Sequence, residues 1–279
     1  MMVWQKGSCM KKRVSFSLLI GCIMTTVVII IALVSLIATP YSPEAMETES
    51  KLAGISLQHI MGCDQFGRDI FSRVMVACRL TLEIACGTVL IGATIGTLIG
   101  AVTGYFGGMA DEILMRVNDV IFAFPSILLA LLIISLLGSG TKQITLALGI
   151  AFVPSYSRIV RGEFMRCREI EYVKSAKIAG AGHIRIMFVH ILPNIFPVLL
   201  SSIMIGFNNA VLAEAGLSFL GIGVQPPQAS LGRMLSEAQT YLFSNPTYVL
   251  GPGLILIIMI LGFSLLAEEM KKSDRIIKN

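Results

Sequence analysis

The residues that most often carry metal, thiol or nucleophile chemistry are few in this sequence and widely spaced. There are three histidines and six cysteines in 279 residues. No two cysteines form a C-x-x-C pair, and no two histidines stand four apart, as zinc ligation by H-x-x-x-H on a helix requires. We therefore predict local hydrogen bonding for the histidines, apolar packing for the cysteines, and no metal or cofactor on this chain.

Nucleotide chemistry and acid–base catalysis also lack their usual residues. A P-loop reads G-x-x-x-x-G-K-[ST], because backbone amides and the lysine together cradle the phosphates. The nearest segment, 138–142, lacks the Gly-Lys-Ser/Thr ending. The acidic residues near apolar runs offer no convincing pair for proton transfer: Glu83, Asp119, Glu214 and Glu268. We predict a non-catalytic chain, with a membrane-embedded enzyme as the alternative from another class.

The composition indicates a membrane protein. Hydrophobic residues make up 55% of the chain and charged residues 14%, against about 45–50% and about 25% in average soluble domains. Six predominantly apolar runs are long enough to cross, or nearly cross, a ~30 Å hydrocarbon core: 16–38, 81–106, 120–137, 144–160, 191–213 and 249–267. The first run exceeds the roughly 7–15 apolar residues of a signal peptide, so a retained helix is predicted rather than a cleaved signal.

The distribution of basic residues predicts the orientation of these spans. Alternating six spans from a cytoplasmic N-terminus places 16 of the Lys and Arg residues inside and 6 outside. The positive-inside rule therefore favours cytoplasmic N- and C-termini. The basic residues flank apolar spans instead of sharing a solvated face with aromatic residues, so nucleic acid is not expected as a partner.

Two features of the spans stand out: a series of glycines in the second span and a carboxyl group at the end of the fifth. Glycines at 87, 92, 96, 100 and 104 in the second span would let another backbone approach closely. Glu214 lies at the outer end of the fifth span. A carboxyl group there either lines a gate or lies at the lipid–water interface, and the sequence leaves both open.

The most informative cytoplasmic segment covers 169–183. Val173, Ala176, Ala179 and Gly180 recur at three- and four-residue spacing, which predicts a short helix with one face of small residues. Such a face would fit a groove on another protein while Lys174 remains solvated. A surface helix lying against the headgroups is the alternative.

This segment resembles the permease subunits of ABC importers, whose pattern is E-A-A-x3-G-x9-I-x-L-P. Four positions agree with that pattern: Ala176, Gly180, Leu192 and Pro193. Three positions depart from it: Lys174, Ser175 and His190.

Further segments are similar to the dipeptide/oligopeptide/nickel subfamily. Residues 61–73 resemble its G-T-D-x-x-G-R-D-x-x-S-R signature, with Cys63 in place of Thr. Residues 214–227 resemble its E-A-x-L-S-F-L-G-x-G-x-x-P-P segment, and 251–253 is a similar Gly-Pro-Gly opening of the last span. The short first loop and single leading span are like the second, C-type, permease of the pair.

The resemblance implies an all-α polytopic membrane protein of the type I ABC importer permease fold, with six transmembrane helices. It implies a tail, first helix and extracellular loop over 1–76, a permease core over 77–268 and a cytoplasmic tail over 269–279. Within the core, a coupling helix near 170–185 would contact the ATPase. The residues assigned to coupling are Glu171, Lys174, Ser175, Ala176, Gly180 and Pro193.

The implied partners are a second permease subunit, two ATPase subunits, an extracellular or periplasmic solute-binding protein and the lipid bilayer of the bacterial cell membrane. Local details in 58–62, 69–73, 179–185 and 238–241 look closer to nickel permeases than to peptide permeases. Nickel, crossing as a chelate, is therefore the preferred substrate, and a dipeptide or oligopeptide is the alternative.

Overall fold

The computed structural model describes residues 16–278, with side chains to residue 271. The basic residues at 11–13, which contribute to the predicted cytoplasmic N-terminus, lie outside the described residues. Helices dominate the described part, and its β-structure is limited to an isolated bridge between Cys63 and Asp69. The helices are α1 (Phe16–Ile37), α2 (Ile70–Phe106), α3 (Gly108–Phe122), α4 (Ser126–Leu137), α5 (Thr141–Arg168), α6 (Glu171–Ile178), α7 (His183–Arg185), α8 (Leu192–Phe219), α9 (Leu231–Ala238) and α10 (Pro246–Lys278).

Five helical stretches are long and apolar enough to cross a membrane: α1, α2, α5, the continuous helical run His183–Phe219 that contains α7 and α8, and α10. The pair α3 and α4 supplies a sixth candidate if it counts as one bent span. The predicted all-α polytopic fold is confirmed. Four helices extend beyond their predicted spans: α2, α5, α8 and α10. α2 begins at Ile70, where Asp69 accepts a hydrogen bond from the Ser72 amide at 2.7 Å, and α10 continues through most of 269–279.

The third span differs from the continuous helix that its hydropathy predicts. α3 and α4 meet at an angle of 87° across the three residues before Ser126. Pro125 cannot donate a backbone hydrogen bond and disfavours helical geometry at Phe124, so the helix stops there. Ion pairs hold α3 against α5, with 2.6 Å between Arg158 and Asp119 and 2.6 Å between Arg161 and Asp111.

The tightest helix contact joins α2 to α5, and it confirms the close approach predicted from the glycines. Each glycine of α2 faces a successive turn of α5: Gly87 meets Thr145, Gly92 meets Gly149, Gly96 meets Val153, Gly100 meets Ser157 and Gly104 meets Arg161. The residue numbers on the two helices increase together, so α2 and α5 run parallel, with an almost constant difference in residue number between the paired positions. A β-carbon at Gly100 would lie 2.8 Å from the Val160 β-carbon, which real contacts do not allow.

A smaller contact of the same kind joins α1 to α10. A β-carbon at Gly21 would lie 3.0 Å from the Leu265 β-carbon, and one at Gly262 would lie 2.8 Å from the Thr25 hydroxyl. The numbers now rise in opposite directions, so these helices are antiparallel. Small residues therefore set the helix spacing at both contacts, as dispersion forces require in lipid.

We predict that Gly100→Val lowers stability by about 1–3 kcal/mol, because the added methyl groups overpack the contact between α2 and α5. The matched control is Gly162→Val on α5, since a β-carbon at Gly162 meets nothing within 4 Å. Thermal unfolding of the two purified variants in the same detergent measures the difference. Equal midpoints for both variants would contradict the close-contact interpretation.

Candidate functional site

α6 is a short helix on the loop that follows α5. Glu171 lies in its first turn and Lys177 in its last, which suits the helix dipole at both ends. The helix ends in a Schellman motif, in which the Ala181 amide donates to the Ala176 carbonyl at 3.0 Å and the Gly180 amide donates to the Lys177 carbonyl at 3.1 Å. The motif needs a left-handed residue, and Gly180 supplies it with φ of +83°.

The rest of the molecule holds α6 mainly through Val173. This side chain is 3% exposed and packs in a cluster with Phe164, Cys167, Ile186 and other residues from α2, α5 and α8. Ala176 is partly buried, whereas Lys174 and Ser175 are exposed. The predicted small-residue face is thus only partly covered, and the surface beyond Val173 remains open in this chain.

Polar contacts fix the segment around α6. Arg168 donates to the Tyr105 carbonyl at 3.2 Å, and the Tyr105 hydroxyl lies 2.9 Å from His183 Nδ1. Glu169 lies 3.3 Å from Arg168 and 3.7 Å from Lys174, both on the exposed surface. Exposed pairs of this kind contribute about 0–1 kcal/mol, so the contacts orient the segment more than they stabilise it.

The structure gathers five of the six predicted coupling residues in one place and separates the sixth. Glu171, Lys174, Ser175 and Ala176 belong to α6, and Gly180 ends it. Pro193 belongs to the first turn of α8 instead. A π-helical stretch, Ile186–Ile191, comes immediately before α8. Its wider turn is followed by Pro193, which has no backbone N–H to donate.

Glu214 is fully buried within the protein, so it does not lie at the lipid–water interface. Its carboxylate accepts hydrogen bonds from Thr81 at 3.0 Å and from Ser218 at 2.7 Å. Those two hydroxyls also accept from backbone amides, Thr81 from Leu231 at 3.3 Å and Ser218 from Val224 at 3.1 Å. This glutamate cluster joins α2, α8, the turn after α8 and the start of α9.

Sequence reasoning missed the partners of Glu214. Ser218 stands four residues later on the same helix, where side chains meet, so its spacing was a usable signal. Thr81 and Leu231 are 150 residues apart. No pattern in a single sequence connects them.

A second polar cluster binds the segment 61–73 to α9 and α10. Asp64 is 2.6 Å from Arg68 and 3.6 Å from Arg73, and all three side chains are buried. Glu237 of α9 lies 3.5 Å from each of the two arginines and accepts from Tyr248 of α10 at 3.3 Å. The signature-like residues thus form a charge-compensated network.

Two histidines and one cysteine of the described residues have a clear local setting: His59, His183 and Cys63. His59 Nδ1 lies 2.9 Å from Asp69, which caps α2. Burial, together with Asp69 and Asp64, raises the pKa of the Cys63 thiol to about 11. Among residues 16–271, no group of three or more His, Cys, Asp or Glu side chains is placed to hold a metal ion.

Comparison with solved structures supports this fold. In a structure described as an inward-facing conformation of the MetNI methionine ABC transporter, one chain matches with a TM-score of 0.57 and 17% identity, covering 71% of this chain and 95% of that one. A chain of an amino acid ABC transporter solved with histidines matches with a TM-score of 0.53 and 20% identity, covering 69% and 90%.

Relatives of known description are closer in sequence. A dipeptide transport system permease protein of Alkalihalophilus pseudofirmus is 36% identical, covering 91% of this chain and 83% of its own. A glutathione transport system permease protein of Pectobacterium atrosepticum is 38% identical, covering 83% and 77%. The nickel transport system permease protein of Escherichia coli is 35% identical, covering 87% and 90%.

Residues 96–271 match the family described as binding-protein-dependent transport system inner membrane component. The matched range runs from the glycine contact of α2 through α6 and the glutamate cluster into α10. The chain belongs to this family and is a non-catalytic transmembrane permease subunit of an ABC importer.

Proposed function

We propose that this chain forms half of a translocation pathway and that α6 is the helix through which separate ATPase subunits move it. The supporting observation is the geometry of α6. It is a capped, exposed helix attached to the end of the 28-residue α5 and anchored by Val173. A rigid element with an uncovered surface at the end of a long helix suits transmission of motion from a docked partner.

The coupling residues divide by position in this proposal. Lys174 and Ser175 present the exposed surface, and Gly180 sets the direction in which the chain leaves the helix. Glu171 and Ala176 occupy the same helix, whereas Pro193 starts the span that receives the motion. Because Lys174 replaces the acidic residue of the family pattern, the docking contact at that position is cationic.

We predict that Gly180→Trp abolishes about nine-tenths or more of ATP-driven uptake while the protein still inserts into the membrane. A β-carbon there meets nothing within 4 Å, but the left-handed φ is unfavourable for any other residue, so the cap and the exit direction change. Uptake by reconstituted importer, with membrane yield measured in parallel, tests this.

The matched control is Gly182→Trp. Gly182 also meets nothing within 4 Å, and its φ of −68° suits any residue. It should keep most of the uptake activity. Wild-type uptake by the Gly180→Trp variant would remove the coupling assignment, and equal loss in both variants would assign the effect to bulk alone.

The proposed assembly contains a second permease, two ATPases and a solute-binding protein on the far side of the membrane. The described chain leaves apolar surface uncovered along its spans, including Leu90 and Leu136. Lipid or a second permease would cover such surface. Cytoplasmic termini remain part of the proposal, on the basis of the distribution of basic residues.

We predict opposite membrane sides for two exposed positions, Leu57 before α2 and Met109 in α3. In sealed spheroplasts, a membrane-impermeant maleimide should label Leu57→Cys but label Met109→Cys only after permeabilisation. The native Cys63 should stay unlabelled, because a thiol with a pKa of about 11 carries roughly one thiolate in a thousand molecules at pH 8. The unmodified chain is the control, and the reverse labelling pattern would overturn the orientation.

For the substrate, we propose a small organic solute that is either a short peptide or a metal chelate. Permeases described for dipeptide, glutathione and nickel are about equally similar to this chain. The nickel preference drawn from local sequence therefore stays a prediction alongside the peptide alternative. The absence of a metal-binding group among residues 16–271 supports entry of any metal in chelated form.

Uptake of radioactive nickel and of labelled dialanine should be compared in a strain lacking this gene and in the complemented strain. Loss of one uptake in the deletion strain, restored by complementation, identifies the substrate. Lost peptide uptake with intact nickel uptake would overturn the nickel preference. Unchanged uptake of both solutes would count against this substrate class.

A further inference from the structure

A cavity of about 370 Å³ lies between α4, α5 and α8. Its volume falls in the ~300–1,000 Å³ range of small-molecule sites. The Thr141 hydroxyl donates to Gln228 at 2.7 Å, so the Thr141 end of α5 lies on the same side of the bundle as the Phe219 end of α8. Depth can therefore be measured from that side along each helix.

The cavity lies inside the hydrocarbon core, at about half to three quarters of its depth. At ~1.5 Å of rise per residue, Tyr156 is about 22 Å from Thr141 along α5, and Gly206 is about 20 Å from Phe219 along α8. On α4, Ser126 is about 16 Å from the matching end. Three helices thus bring cavity-lining residues to a similar level of a ~30 Å hydrocarbon core.

Polar side chains without partners mark this cavity. Ser155 and Asn209 line it, are exposed on this chain, and make no hydrogen bond to another described residue. The neighbouring Asn208 behaves differently, because it donates to Ser264 of α10 at 2.9 Å. Polar groups at mid-membrane depth face the bundle interior or water instead of lipid. Asn209 is therefore left free for a partner outside this chain's own contacts, whereas Asn208 serves packing.

The inner wall contains a further unused polar group. Tyr156 is 3% exposed, and its hydroxyl lies against Gly206 without a hydrogen-bond partner among the described residues. A β-carbon at Gly206 would overlap that hydroxyl, so glycine there is what admits the ring. The wall therefore contains a buried hydroxyl without a partner beside neutral hydrogen-bonding groups.

The lining also limits which ligand fits. It contains hydroxyl, amide, aromatic and aliphatic groups, and no His, Cys, Asp, Glu, Lys or Arg. One turn further along α5, Arg158 is already paired with Asp119 at 2.6 Å. A bare divalent cation would find none of the ligands it prefers. A solute that presents amide and carbonyl groups would pair with Ser155 and Asn209.

We propose that this mid-depth cavity is a solute-binding subsite of the translocation pathway, selective for a neutral or zwitterionic hydrogen-bonding solute over a bare metal ion. The proposal rests on the proposed function and narrows its substrate class. A short peptide and an organic metal chelate share this surface chemistry, and the experiment separates them.

The test is direct binding to the assembled importer, containing both permeases and both ATPases, with the solute-binding protein omitted. Scintillation proximity measures the half-saturating concentration of labelled dialanine, of radioactive nickel as its histidine chelate, and of radioactive nickel chloride. Asn209→Leu keeps a similar volume without the amide, and Ser155→Ala removes the hydroxyl with little risk to folding. Each should raise the half-saturating concentration of the probe that binds by about three- to tenfold.

The matched control is Thr94→Val, which removes an exposed hydroxyl of α2 outside this cavity and should leave binding unchanged. Binding unaltered by both Asn209→Leu and Ser155→Ala would overturn the site. So would the absence of binding by a wild-type complex that still transports a probe. Nickel chloride binding with the same sensitivity to the variants would overturn the ligand class.

Uptake by the complete importer separates the two proposals. If wild-type importer accumulates neither dialanine nor chelated nickel with ATP, the proposed function fails. If uptake proceeds but the cavity variants bind and transport as wild type does, only the subsite fails.

Discussion

The parallel contact between α2 and α5 is the interaction on which the positions of the other elements depend. Lipid offers no hydrophobic drive for helix association, so close backbone approach must supply dispersion energy instead. Glycines at successive turns of α2 allow that approach over much of the length of α5. α5 in turn carries α6 at one end, residues that line the mid-depth cavity in its middle, and the arginines that hold α3.

Buried polar clusters complete the bundle on the side away from α6. Glu214 satisfies two hydroxyls and, through them, two backbone amides from the turn after α8 and the start of α9. Glu237 of α9 likewise contacts Arg68, Arg73 and Tyr248 of α10, and so links these elements. A half-satisfied polar group in such surroundings is costly, so these clusters specify one arrangement more than they add stability. The segment 61–69 and α9 are thereby fixed to the span ends.

Much of this fold could be predicted from the sequence, because the signals were local. Apolar run lengths gave the number of spans, and the glycine spacing gave the face of α2 that meets another helix. The break at Pro125 is harder to predict, because the apolar run continues across it although the helix is interrupted there. The environment of Glu214 and the unequal roles of Asn208 and Asn209 depend on partners from distant segments. Periodicity in one sequence does not encode such partners.

The anchoring of α6 by Val173 separates the stability of the bundle from the chemistry of the exposed face of the helix. Since the exposed face of α6 contributes little to the buried core, substitutions on that face leave the stability of the bundle nearly unchanged. Lys174 and Ser175, which depart from the family pattern, lie on that face. In the proposed docking role of α6, recognition of the partner can therefore change by substitution on that face without any compensating change in the membrane core.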